Sequence, residues 1–266
     1  MENSAHIWYL GQHGFAISVA GIVIYIDVIL NEIKGKDGIP RRNYPPPFTP
    51  LETQRVDYFF ATHNHLDHLN LETIVPLADA NPGTKFIVPK PCVSVLAKAG
   101  IAESRIIGVR AEESFELGNI GVFPVPAVHT KYIQDEAVKD ENGDHFDLGF
   151  VIKASGLSFY HSGDTWITPR LVEILKQKGP LNFAMLPING TDWERTSSGC
   201  IGNVNAMDAV KLASAVPVDL IIPGHYDMMP GNTENPAYFA DCMYRHSPQK
   251  RFHICALGER FIYSDV

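Results

Sequence analysis

The 266-residue sequence predicts an α/β protein, one domain spanning residues 1–266 with two β-sheets and outer helices. Three observations carry this expectation. Strand-like runs come first and then mix with helical segments, and the order occurs twice along the chain. No Gly/Ser-rich linker separates the two passes. The composition, 45% apolar and 20% charged, is that of a globular chain long enough to fill a sizeable core.

In the first pass, HIWYLGQHGFAISV and IVIYIDVIL are β-rich runs joined by Ala20-Gly21, a hairpin signal. GIPRRNYPPPFTP (38–50) is Pro-rich and reads as a surface loop. VDYFFAT (56–62) is a short buried strand. LNLETIVPLADA is helical, with Pro76 predicting a break or kink. KFIVP is a strand, SVLAKAG a short helix stopped by Gly100, and RIIGVR another strand. SFELGNIGVFPVPAVHT turns at Gly118-Asn119 and runs on as a strand to His129, followed by a polar loop over 135–145.

The second pass opens with FVIKASGLSFYHSGD, which turns at Ser155-Gly156. TPRLVEILKQKG is a helix with Thr168 as N-cap, Pro169 at its first position and Gly179 at its end. NFAMLPI is a buried strand, NAMDAVKLASAV a helix capped by Asn205, and DLIIPGH a strand ending at a histidine. RFHICALGERFIYSDV reads as a closing hairpin.

Charge and composition exclude several function classes. The net charge of −8 disfavours long nucleic acid and anionic membrane as partners. A small phosphorylated substrate stays open, because bound metal inverts local charge. No apolar run approaches the roughly 20 residues of a membrane span. MENSAHIWYLGQHGF lacks the basic and then apolar build of a signal peptide. Cys92, Cys200, Cys242 and Cys255 are scattered and form no CxxC, so the expected setting is the cytoplasm with reduced thiols.

The chemistry concentrates in ATHNHLDHLN, where His63, His65, Asp67 and His68 fall within six residues just after a strand. Imidazole and carboxylate suit zinc, and also manganese or iron. Four ligands in one loop are too many for a single ion that must keep an open position, so the loop predicts two divalent ions. The remaining ligands must come from other strand ends. His129, Asp164 in HSGDT and His225 in PGHYD are the three candidates. Taken alone, His129 or His225 would be an ordinary strand-end histidine; the cluster changes that, because it needs partners.

Together, HNHLDH, His129, the aspartate of SGDT and the histidine of PGH resemble the motifs of the metallo-β-lactamase superfamily. The resemblance implies a four-layer αββα sandwich and hydrolysis by a metal-bound hydroxide. It implies one ion on His63, His65 and His129, and a second on Asp67, His68 and His225, with Asp164 bridging. Asp67 is also the candidate catalytic residue, orienting the nucleophile or carrying a proton to the leaving oxygen. Asp27, in IYIDVIL, resembles the aspartate that braces the metal loop. Diiron electron-transfer relatives carry glutamate where this chain has His65, which favours hydrolysis. More narrowly, LGQHGFAI, YPPPF, ATHNHLDHLN, HSGDT, LPINGTDW, IGNVN and IPGHYDM resemble the L-ascorbate-6-phosphate lactonase-like branch. That branch opens a lactone on a phosphorylated sugar acid, uses manganese or zinc, and commonly forms homo-oligomers. His13 departs from the small residue expected there and adds a polar group near the site.

Substrate contacts are sought among His13, His145, Asn189, Asp192 and Asn203, and phosphate contacts among Arg41, Arg42, Lys131 and Arg195. His161 reads as packing beside the site. The leading function is a lactonase acting on a small substrate. The alternatives are a phosphodiesterase on a nucleotide or phospholipid head group, and a metal-stabilised binding protein.

Overall fold

In the computed structural model, residues 4–35, 37–132 and 135–265 are described. The first sheet contains β1 (Ser4–Tyr9), β2 (Phe15–Val19), β3 (Ile22–Ile26), β4 (Tyr58–Phe60), β5 (Lys85–Pro89), β6 (Ile106–Val109) and, from the far end of the sequence, β14 (Arg260–Ser264). Its order is β14-β1-β2-β3-β4-β5-β6. The second sheet contains β7 (Phe115–Leu117), β8 (Ile120–Pro126), β9 (Leu148–Ala154), β10 (Leu157–His161), β11 (Leu181–Pro187), β12 (Val218–Gly224) and β13 (Arg251–Phe252). They lie side by side in reverse sequence order, from β13 to β7.

Strand alternation builds the layers. Ile24, Ile26, Phe60 and Ile87 point inward and share one core with Ile120, Phe150 and Ile152 of the second sheet. The rings of Phe60 and Phe150 meet edge to face at 5.0 Å across that interface. The intervening Tyr25, Phe59, Phe86 and Val88 point outward, beneath α1 (Leu71–Ala80) and α2 (Val93–Lys98). On the far side, α3 (Pro169–Lys178), α5 (Ala206–Ala215) and α6 (Pro236–His246) bury Leu175, Ala213 and Phe239 against the second sheet. A one-turn helix, α4 (Trp193–Ser197), lies in the loop between β11 and α5. The four-layer αββα sandwich is therefore present.

The three predicted two-residue turns form, Gly118-Asn119 joining β7 to β8. Ala20-Gly21 and Ser155-Gly156 have positive φ at both central residues, as tight hairpin turns require. Asn70, Thr168 and Asn205 cap α1, α3 and α5 with their side chains.

Four expectations need correction. The run HIWYLGQHGFAISV is two strands, because Gly11 and Gln12 adopt left-handed backbones and turn the chain between β1 and β2. The helix α1 continues through Pro76; the carbonyl this leaves without its amide partner belongs to Glu72, which is exposed to water. The strand β8 stops at Pro126, short of His129. The last two strands do not pair: β13 runs parallel to β12 and β14 antiparallel to β1, so the segment between them crosses from one sheet to the other.

Each sheet changes from antiparallel to parallel pairing once, at β3/β4 and at β10/β11. In open α/β sheets, ligands favour such switch points, beyond the carboxyl ends of the strands. Asp27, His63, Asp164 and His225 all follow strand ends there, after β3, β4, β10 and β12.

Candidate metal centre

The loop 61–70 joins β4 to α1, and Asp27 holds it from beneath. Its Oδ1 accepts the Thr62 amide at 2.8 Å, and its Oδ2 accepts the Thr62 hydroxyl at 2.6 Å and His68 Nδ1 at 2.7 Å. These bonds decide tautomers. His68 carries a proton on Nδ1, so Nε2 faces the centre. Thr62 gives its only hydroxyl proton to Asp27 and so accepts from His63 Nδ1 at 3.0 Å, which turns the His63 Nε2 lone pair inward.

Three imidazoles meet there. His63 Nε2 lies 2.9 Å from His65 Nδ1, which lies 3.2 Å from His129 Nε2. Nitrogens about 2.0 Å from a tetrahedral ion sit roughly 3.3 Å apart, so this spacing fits a divalent metal. A second trio lies alongside. Asp67 Oδ2 is 3.6 Å from His68 Nε2 and 3.4 Å from His225 Nε2. Asp164 faces both: Oδ1 is 3.4 Å from His68 Nε2, while Oδ2 is 3.2 Å from His225 Nε2 and 3.7 Å from His129 Nε2. His68 Nε2 and Asp164 Oδ1 are buried and make no hydrogen bond among the described residues. Leaving such groups unpaired costs about 1–3 kcal/mol each. A divalent ion would satisfy both, so the donor set fits the group it suggests.

Electrostatics differ between the trios. Burial holds the His63, His65 and His129 imidazoles below their usual range, His129 at about 4, so all three are neutral at pH 7, the form a metal ligand needs. Burial would also lower His68 and His225, but the facing carboxylates Asp164 and Asp67 outweigh it, raising His68 well above its usual value and His225 to about 9. Burial would raise Asp67 and Asp164, yet the same two histidines pull both below the usual carboxylate range. The metal-free second trio thus balances its carboxylates with protons, which an incoming cation must displace.

The other candidates fall in different places. His13 is buried beneath the centre, 4.2 Å from the His161 ring and 3.3 Å from Ser162 Oγ, so both histidines pack behind the site. Asn203 donates to Asn189, which donates to Asn232; both are fully buried and brace the loops. Asp192 caps α4 and pairs with Arg195 at 2.6 Å. His145 lies away from this group, in an antiparallel bridge with Lys139. Arg41 pairs with Asp37, Arg42 donates to the Ile29 and Asn31 carbonyls, and Arg195 also donates to the Asn189 carbonyl.

A cleft of about 630 Å³, lined by Lys131, Tyr132, Trp166, Thr191, Asp192 and Trp193, lies next to these loops. Lys131 and Trp166 stand two positions after His129 and Asp164. Two carboxylates of the cleft are already paired, Asp192 with Arg195 and Asp208 with Lys211. Lys131 is therefore the cation in the cleft without an ion-pair partner among the described residues.

Gln12, the sequence neighbour of His13, reaches the centre. Gln12 is 0% exposed, and its Nε2 lies 2.7 Å from Asp67 Oδ2 and 3.1 Å from His225 Nε2. A glutamine in the turn between two strands carries little signal; its contacts come from residues distant in sequence, Asp67 after β4 and His225 after β12.

Residues 24–226 match the family model described as a beta-lactamase superfamily domain. Among curated proteins, the chain is 24% identical over 255 residues to a metal-dependent hydrolase of Caldivirga maquilingensis, covering 96% of each chain. It is 29% identical over 247 residues to a metal-dependent hydrolase of Thermofilum pendens, covering 89% of this chain and 90% of the relative. Among solved structures, a metallo hydrolase from the archaeon Ignicoccus hospitalis shares the fold, with a TM-score of 0.74 at 18% identity over 99% of this chain and 100% of that one.

Proposed function

Because the chain belongs to the beta-lactamase superfamily domain family, we propose that it is a dinuclear metal-dependent hydrolase that opens a lactone, or a related C–O bond, on a small anionic sugar acid. One observation carries this reading: seven His and Asp side chains from both sheets converge in two trios with Asp164 between them. His63, His65 and His129 would hold one ion, Asp67, His68 and His225 the other, and Asp164 both. Divalent ions, zinc or manganese by donor type, supply Lewis acidity and acidify water at neutral pH.

The chain's own groups do the rest. Asp67 is the partly exposed carboxylate of the set, so it can reach substrate, take the proton that the attacking water releases and pass it to the leaving alkoxide oxygen. Asp27 and Thr62 fix the tautomers of His68 and His63. The aromatic faces of Trp166, Trp193 and Tyr132 suit a sugar ring, and Lys131 suits one phosphate or carboxylate. The resemblance of LGQHGFAI, LPINGTDW and IPGHYDM to the ascorbate-6-phosphate lactonase-like branch supports the same class.

The test is a substrate profile of metal-loaded protein on free and phosphorylated sugar lactones and on bis(p-nitrophenyl) phosphate. Preferential opening of phosphorylated lactones, weakened by Lys131→Ala mainly in KM, is the expected outcome. Turnover of the phosphodiester alone would replace the lactonase reading with a phosphodiesterase. Asp164→Ala should lose bound metal and activity together; a variant keeping both would overturn the centre itself.

A further inference from the structure

The geometry points to Gln12 as an oxygen ligand of the second ion, through a carboxamide that turns over when the ion binds; this rests on the two-ion reading above. Gln12 Nε2 caps Asp67 Oδ2 at 2.7 Å and His225 Nε2 at 3.1 Å, atoms that are themselves 3.4 Å apart. An amide N–H₂ thus donates to Asp67 Oδ2 and occupies the side of the trio where that oxygen and His225 Nε2 converge. Once a cation displaces the His225 proton and takes that nitrogen and Asp67 Oδ2, the positive end of the amide dipole faces a positive charge. The side chain must then turn or leave.

Leaving is blocked. Gln12 is fully buried, and its backbone is tied at both ends to nearby residues. Its N–H donates to Asp227 Oδ1 at 3.2 Å, and its carbonyl accepts the Tyr9 hydroxyl at 3.1 Å and the His225 amide. Turning is easy, because the two ends of a carboxamide have nearly the same shape. It also answers an open account: Gln12 Oε1 is buried without a hydrogen-bond partner among the described residues. Turned over, that oxygen faces the cation and the N–H₂ moves away from it. A neutral carbonyl oxygen beside Asp67, His68 and His225 tilts the second position toward manganese relative to zinc.

The test titrates chelator-stripped protein with Mn²⁺, read by calorimetry and by the paramagnetic resonance signal of the free ion, with melting curves reporting folding. Wild type should take up two ions per chain. Gln12→Ala should keep the first within about threefold and bind the second about 10–100-fold more weakly. Gln12→Glu, which retains an oxygen, should restore the second. If Gln12→Ala fails to fold, Gln12→Met keeps the length without the oxygen and takes its place. Second-ion affinity within threefold of wild type in the oxygen-less variant would overturn the role of Gln12 and leave the two-ion centre standing. Fewer than two ions in wild type would overturn both.

Discussion

Asp27, Gln12 and His225 share an unusual property: each has a left-handed backbone, with φ of 52°, 58° and 57°. Non-glycine residues adopt this at a cost of about 1–3 kcal/mol, which surrounding contacts must offset. Ala20 and Ser155 do so in hairpin turns, whereas Asp27 contacts His68 and both Gln12 and His225 contact Asp67. Asp27→Asn keeps the size but not the charge that accepts from Thr62 and His68. It should weaken metal retention about 10–100-fold against a competing chelator; unchanged retention would mean that the carboxylate only packs. Asp147, 8% exposed at the start of β9, behaves differently. Burial first, and Asp164 next, push its carboxyl up to about 7, against the opposing pull of His68. Its folded value lies above the ordinary 3.8, so ionising it costs stability as pH rises from about 4 to 7. In chelated protein, Asp147→Asn should be level with wild type near pH 4 and ahead by roughly 1–3 kcal/mol at pH 8. Melting curves separated by a constant gap across that range would contradict this.

At the scale of elements, the loop 61–70 depends on the helix that follows it. Asn70 Oδ1 accepts the Glu72 amide at 3.0 Å while its Nδ2 donates to the Leu66 carbonyl at 2.9 Å, so one side chain both starts α1 and closes the turn carrying Asp67 and His68. Asn70→Ala should cost about 1–2 kcal/mol in denaturant unfolding and slow metal uptake; a loss below about 0.3 kcal/mol would show that the turn stands without the cap. Caps and tight turns of this kind were legible in the sequence because they are local: Thr168, Asn205 and the two Xaa-Gly turns are set by neighbours a few residues away. Among the candidate ligands, His63, His65, Asp67 and His68 stood out through their dense spacing, and His129, Asp164 and His225 through their places beyond strand-like runs. Gln12 did not, since its partners Asp67 and His225 are distant in sequence. The closing hairpin failed for the same reason. RFHICALGERFIYSDV has two β-runs around a Gly, but which sheet each joins depends on the free edges of β12 and β1. Glu259 adds a local detail that pattern reading misses, receiving the Ala256 amide and pairing with His253 at 2.7 Å.

Across the whole molecule, the first sheet's loop supplies His63, His65, Asp67 and His68, and the second sheet's loops supply His129, Asp164 and His225. Neither side completes a trio alone. Stripping metal should therefore lower the melting temperature of the entire chain, by about 5–10 °C relative to protein with metal at a hundredfold excess over its dissociation constant. An unchanged melting temperature would indicate that the sandwich holds the centre without help from the ions. The same arrangement makes each ion a cross-link. One would join His65 to His129, and the other His68 to His225, a loop of more than half the chain. In the chain-entropy model, loops of these lengths remove roughly 4–5 kcal/mol of unfolded-state freedom each, as a disulfide does. All four cysteines are free. The protein would thus carry two staples that reductants leave intact and chelators remove.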